Sequence, residues 1–132
     1  MYIWRMKKLI STIVMLVLAV AALSAAGKAN MKFEATSHDF GTIKAKGGAV
    51  TATYKFVNDG DAPLVILDVT NGGCGCTTPT FPKAPIKPGE SGEVKIHFNP
   101  AGRRGEFNRE VKVRTNGAKK RLTLKFSGVI IP

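Results

Sequence analysis

Short apolar runs with a period of two are the feature that most constrains how this chain folds. From residue 50 onward, apolar side chains occupy every second position, and glycine, proline, asparagine and aspartate interrupt the runs at short intervals. The alternating positions predicted to face the core are Val50, Ala52, Tyr54, Phe56, Val94, Ile96, Phe98, Val111, Val113, Leu122, Leu124 and Phe126. Because successive side chains of a strand point to opposite faces, the pattern predicts an all-β chain.

The runs and the turns between them predict about seven strands. Six lie at residues 31–37, 50–57, 64–70, 92–98, 108–115 and 121–129, with a short one near 40–44. Asn116 and Gly117 predict a hairpin turn that pairs the last two strands antiparallel. The run at 64–70 is apolar without interruption before Asp68, which predicts either a central strand or a bulged one. This number of strands suits a two-sheet antiparallel sandwich.

The N-terminus has the layout of a secretory signal peptide. Arg5, Lys7 and Lys8 precede an apolar run at residues 9–23, and small residues follow at 24–26. The run is shorter than the roughly 20 residues of a membrane-spanning helix. We therefore expect cleavage after residue 26, no integral membrane span after cleavage, and a single domain at 27–132 that is exported to the periplasm or the extracellular space.

The mature chain is predicted to be strongly basic. Without residues 1–26 it retains 17 basic residues against nine acidic ones, a net charge of +8. Export argues against nucleic acid, so the charge favours another envelope protein or an anionic surface as partner. The last three strands should project a basic stripe outward, comprising Lys95, Lys112, Arg114, Arg121 and Lys125. Glu93 and Glu110 interrupt this stripe, so a simply solvated face is the alternative.

Five motifs cover essentially the whole mature chain: HDFGTI, YKFVNDGDAPLVI, GGCGCTTP, PIKPGESGEVKIHFNP and GEFNREVKVRTNG. Their order resembles the bacterial domain of unknown function 1573 family. The chain is more distantly similar to major-sperm-protein and hydin-like sandwiches, which carry a comparable turn, here Phe56, Asn58, Gly60, Pro63 and Leu64. The resemblance implies an immunoglobulin-like fold and an exported bacterial protein, but it implies no activity.

Cys74 and Cys76, separated by Gly75, are the only cysteines and have three interpretations. Residues two apart can form a disulfide, with Gly75 expected at positive φ, although so short a loop contributes only ~1.6 kcal/mol. A labile bond of this kind would suit thiol–disulfide exchange. Against exchange, the loop has no nearby basic residue to stabilise a thiolate, since Lys83 is the closest in sequence.

The third interpretation is a metal site formed by Cys74, Cys76 and His97. Two thiolates need further ligands, and His97 is predicted to face outward among charged residues. No cofactor is predicted, and no hydrolase elbow, phosphate loop or zinc-protease motif occurs in the sequence.

The leading hypothesis is therefore a non-catalytic, immunoglobulin-like interaction or structural module whose edge strands accept a partner strand. The alternative is thiol exchange or metal binding at Cys74 and Cys76.

Overall fold

The computed structural model describes residues 27–132, so the predicted signal peptide lies outside the described residues. Within this range the chain forms eight strands: β1 (Met31–Phe33), β2 (Ser37–Lys44), β3 (Val50–Asn58), β4 (Ile66–Val69), β5 (Thr77–Thr80), β6 (Ser91–Phe98), β7 (Gly105–Thr115) and β8 (Arg121–Ile131). Residues 27–132 contain no helix long and apolar enough to cross a membrane. The prediction of an all-β domain is confirmed.

The strands form two four-stranded sheets. One has the order β1-β3-β6-β5 and the other β2-β8-β7-β4. All neighbouring strands are antiparallel except β2 and β8, which run parallel. The predicted two-sheet sandwich is confirmed, with one parallel pair that the sequence analysis did not expect.

The core lies between the inward faces of the two sheets. Most positions predicted from the alternation are buried there: Ala52, Tyr54, Phe56, Val94, Ile96, Phe98, Val111, Val113, Leu124 and Phe126. The rings of Phe98 and Phe126 join the sheets, with centroids 5.6 Å apart. Burial of a large apolar side chain such as either of these rings stabilises the fold by roughly 1.5–3 kcal/mol. Val50 and Leu122 are only partly buried, because they lie at strand ends.

Three strand predictions are corrected. The strand predicted at 31–37 ends at Phe33, and β2 begins at Ser37 in the other sheet, where it is longer than expected. A strand at 77–80 was missed because its polar sequence, which includes Pro79, lacks apolar alternation; proline is tolerated there because β5 is an edge strand. β4 is an edge strand as well, not a central one.

The alternative prediction for β4, a bulge, is confirmed. The register with β7 shifts between Ile66 and Asp68, and Leu67 is 55% exposed. The predicted β7–β8 hairpin is also confirmed, with Arg114 opposite Arg121. Asn116 in its turn accepts a hydrogen bond from the Val65 N–H at 2.8 Å. The hairpin turn is thereby tied to the segment that leads into β4.

Candidate functional site

Cys74 and Cys76 lie in the loop that leaves β4 in one sheet and enters β5 in the other. Their sulfur atoms are bonded, and their Cα atoms are 5.2 Å apart, inside the usual window of about 4.4–6.8 Å. The Thr77 N–H donates to the Cys74 carbonyl at 3.2 Å, which closes the loop into a tight turn. Cys74 is buried, at 8% exposure, whereas Cys76 is partly exposed. The two residues that form the bond are therefore unequally exposed to solvent.

The conformational role expected for Gly75 is wrong. Positive φ occurs instead at Gly72 (67°) and Gly73 (79°), and a Cβ on Gly75 would meet nothing within 4 Å. A Cβ on Gly72 would lie 2.7 Å from the Glu110 carbonyl oxygen of β7. The sharp bend that delivers the cysteines thus precedes them, where the loop that follows β4 passes beside Glu110 of β7.

Arg103 lies at the cysteine pair, a contact that the sequence analysis did not predict. Its Nη2 atom lies 3.2 Å from the Cys74 Sγ atom, although 29 residues separate the two in sequence. Arg103 belongs to the loop between β6 and β7, which begins where the Asn99 N–H donates to the Cys76 carbonyl at 2.9 Å. The expectation that no basic residue is near the cysteines is therefore corrected. No local motif could have revealed the contact, because it depends on β5 pairing with β6.

Two hydrogen-bond donors converge on the same sulfur. Besides Arg103, the backbone N–H of Cys76 donates to the Cys74 Sγ atom at 3.2 Å. Within residues 27–132 the Cys76 Sγ atom has one contact of this kind, and it is longer, at 3.6 Å to the Thr77 hydroxyl. Donors and positive charge favour the thiolate form of a cysteine. The surroundings of the bond therefore stabilise negative charge better on the Cys74 sulfur than on the Cys76 sulfur.

The metal candidates do not converge. The His97 ring lies on the outer face of its sheet, with Nδ1 2.9 Å from the Thr51 hydroxyl and Nε2 3.5 Å from the Thr80 hydroxyl. Cys74 and Cys76 are engaged with each other. In the part of the chain that the structure describes, no three histidine, cysteine, aspartate or glutamate side chains are grouped as ligands of an ion.

The residues of the predicted basic stripe divide between the two sheets. Lys95 lies on β6, while the other four lie on β7 and β8 of the opposite sheet. Those four side chains, termed the basic patch below, are Lys112, Arg114, Arg121 and Lys125. Arg114 lies directly opposite Arg121 across the two strands. Because β6 and β7 belong to different sheets, Lys95 does not continue the row of cations on β7 and β8.

Acidic neighbours compensate part of the basic patch. Arg114 forms a two-point contact with Asp68, at 2.9 Å from Nε and 2.8 Å from Nη2. The hydrogen bond and charge of Asp68 raise the pKa of the Arg114 guanidinium. Glu110 lies 3.8 Å from Lys112 and 3.7 Å from Lys125. These pairs are exposed and individually weak, so the patch keeps an excess of positive charge.

One edge of the sandwich differs from the other three. β1, β4 and β5 have three or four residues each, whereas β2 has eight. On the neighbouring β8, Val129 and Ile131 face outward at 37% and 39% exposure, opposite Thr42 and Lys44 of β2. A bulge between Asp39 and Thr42 interrupts the strand. Long edges next to apolar surface are uncommon on isolated domains, which usually shorten or cover them.

The chain is similar to known proteins both in sequence and in fold. A family model described as "Protein of unknown function (DUF1573)" matches residues 31–130. A protein of unknown function from Porphyromonas gingivalis W83 has a similar structure, with 22% identity and a TM-score of 0.67 over 80% of this chain and 48% of that one. This chain therefore spans about half of that protein. No curated protein matches the chain.

Two further solved structures share the fold. The Vibrio cholerae VesB protease is 15% identical, with a TM-score of 0.60 over 77% of this chain and 32% of that one. The seventh PapD-like domain of human CEP192 is 17% identical, with a TM-score of 0.58 over 79% of this chain and 87% of that one. At such identities the likeness concerns the immunoglobulin-like, PapD-like sandwich alone.

Proposed function

The chain belongs to the DUF1573 family of proteins of unknown function, and we propose that it is an exported, non-catalytic immunoglobulin-like module that binds another protein of the bacterial cell envelope. The observation that carries this proposal is the eight-residue edge strand β2. In the described part of the chain, β2 pairs with a strand only on its β8 side. Its other side offers a row of backbone donors and acceptors to an extended segment of a partner.

The surroundings of β2 suit such a partner. Val129 and Ile131 on β8 provide apolar surface close to the edge, and Thr42 and Lys44 of β2 are exposed. Backbone hydrogen bonds would supply affinity, and the neighbouring side chains would supply specificity. The bulge after Asp39 divides the edge, so the uninterrupted stretch at Thr42–Lys44 is the part expected to engage the partner most regularly.

Export is the second part of the proposal. The basic, apolar and small-residue segments of residues 1–26 follow the layout of a signal peptide. The Cys74–Cys76 bond adds support, because disulfides persist mainly in oxidising compartments. N-terminal sequencing of the protein from fractionated cells should find Gly27 at the start of the envelope form. An uncleaved chain that stays in the cytoplasm would contradict this part.

The β2 interaction can be tested by photo-crosslinking in cells. A photoreactive amino acid is introduced at Thr42 of β2, and in a control protein at Thr78 of β5, which is an exposed threonine on another edge strand. We expect Thr42, but not Thr78, to yield a discrete adduct with one envelope protein. Adducts at both positions, or at neither, would contradict binding at β2.

Charge substitutions then separate specific docking from general stickiness. Val129→Lys should abolish the Thr42 adduct, because it places an ammonium group on the apolar surface beside the edge. Leu67→Lys makes the same kind of change on β4, the opposite edge of that sheet, at a residue that is 55% exposed. This control should leave the adduct intact. Loss of the adduct in both variants would show that surface charge, rather than β2, governs the contact.

A further inference from the structure

We infer that the Cys74–Cys76 bond is a thiol-exchange pair in which Arg103 makes Cys74 the sulfur that leaves and Cys76 the sulfur that is attacked. The proposal rests on the unequal surroundings of the two sulfurs and does not depend on a protein partner at β2. It gives the paired cysteines a chemical role within a module otherwise proposed to be non-catalytic.

Accessibility favours attack at Cys76. Exchange begins when an external thiolate approaches one sulfur of the bond in line with the other sulfur, so access to the attacked sulfur affects the rate. Cys76 is a partly exposed residue that packs against the core, whereas Cys74 is 8% exposed and accepts a hydrogen bond from Arg103 of the β6–β7 loop. An incoming thiolate therefore reaches Cys76 more easily.

Electrostatics favours departure of Cys74. When the bond breaks, a full negative charge develops on the leaving sulfur, and a better stabilised thiolate leaves faster. Arg103 Nη2 and the Cys76 N–H are both already 3.2 Å from the Cys74 Sγ atom. In the described part of the chain Cys76 Sγ accepts no hydrogen bond from a cation; its hydrogen-bonding contact is with the Thr77 hydroxyl at 3.6 Å.

The reaction balances with an external thiol as co-reactant. The thiolate of a small thiol or of a dithiol protein forms a bond to Cys76 Sγ, and the Cys76–Cys74 bond breaks with its electron pair on Cys74 Sγ. The products are a mixed disulfide at Cys76 and a Cys74 thiolate beside Arg103. A second external thiolate then attacks the external sulfur of the mixed disulfide. This step releases the disulfide formed by the two external thiols and leaves Cys76 as a thiolate, which takes up a proton. The cysteine pair is thereby reduced by two electrons.

The first test measures the reduction equilibrium of the purified protein in glutathione buffers. Arg103→Gln should make the bond about three- to tenfold harder to reduce, which corresponds to a potential lower by about 15–30 mV. Arg103→Lys should recover part of the difference, because it restores the charge. Arg104→Gln is the matched control, since this exposed neighbour has no hydrogen bond to either sulfur in the described structure. Equal potentials for Arg103→Gln and Arg104→Gln, with both variants folded, would overturn the role of Arg103.

The second test locates the attacked sulfur without a substitution that affects folding. The wild-type protein is incubated with reduced glutathione, quenched with acid and alkylated, and fragmentation of the cysteine peptide assigns each modification. We expect glutathione on Cys76 and the alkyl label on Cys74. Glutathione mainly on Cys74 would overturn the assignment of roles, and a bond that remains closed in excess glutathione would overturn the exchange activity itself. Either result leaves the test of the β2 interaction unaffected.

Discussion

Replacement of Asn58 by alanine should remove much of the stability of this domain. Asn58 is fully buried at the end of β3, at 0% exposure, and its amide is bonded at both ends. The oxygen accepts from the Asn30 N–H at 3.2 Å and the Gly60 N–H at 3.1 Å. The nitrogen donates to the carbonyls of Ala62 at 2.8 Å and Ile86 at 2.9 Å. This one side chain therefore bonds four backbone groups and joins three segments of the chain.

The expected magnitude follows from the groups that lose a partner. The Ile86 carbonyl keeps a hydrogen bond from the Leu64 N–H at 2.8 Å. The other three backbone groups lose the only partner they have in the described structure, and each covered group left unsatisfied costs about 1–2 kcal/mol. The sum is about 3–6 kcal/mol, which is a large share of the roughly 5–15 kcal/mol by which a typical domain is stable.

Urea-induced unfolding of the variants measures this loss. Asn58→Ala should lower the midpoint with little change in slope, which is the behaviour of a change in stability alone. Asn108→Ala, an exposed asparagine on the outer face of β7, is the control and should stay within about 0.5 kcal/mol of wild type. Asn58→Asp keeps the size but offers no donor to the two carbonyls, so it should also destabilise the domain. A loss below about 1 kcal/mol for Asn58→Ala would show that these hydrogen bonds contribute little to the stability of the domain.

Three other outcomes are expected. Gly75→Ala should fold with nearly unchanged stability, because its Cβ meets open space, while Gly72→Ala should lower the midpoint of thermal unfolding, since its φ is 67° and its Cβ would lie 2.7 Å from a carbonyl oxygen. Burial raises the pKa of Tyr54, whose hydroxyl donates to the Lys125 carbonyl, to about 12 from 10.0. The contribution of the neutral phenol to the free energy of unfolding should therefore be complete below about pH 10 and decline by about 2–3 kcal/mol as the pH approaches 12. Urea titrations of Tyr54→Phe should not show this decline. The basic patch should retain the protein weakly on anionic vesicles at low salt and release it near 0.15 M salt, where the Debye length is about 8 Å; equal retention on neutral vesicles would show that the patch is only solvated.

The fold was predictable wherever local pattern and burial coincide. The alternation in residues 50–57 and 92–98 identified β3 and β6, and the Asn116-Gly117 turn identified the β7–β8 hairpin, because neighbouring residues alone determine these patterns. β5 escaped prediction because an edge strand with little buried surface needs no apolar alternation. The parallel pairing of β2 with β8 also escaped, since it depends on a crossover between sheets that follows Phe33.

The candidate site was likewise predictable only in part. Cys74 and Cys76 were recognisable from their spacing, and their pairing requires only the local loop. Arg103 was not recognisable, because its contact with Cys74 joins loops that follow different strands. The stripe of cations was predicted from outward positions alone, and the structure separates Lys95 from the rest because alternation along a strand does not specify which sheet the strand joins.

Three properties could be read from the amino-acid pattern alone: the all-β character of residues 27–132, the side chains that fill the core and the closeness of the two cysteines. These properties follow from period, turn chemistry and spacing, which act over a few residues. The local pattern does not specify which strands become edges, which cations share a face or which sulfur lies beside Arg103. Those outcomes depend on how two sheets pack and how distant loops meet, since packing energy is shared among residues far apart in the chain.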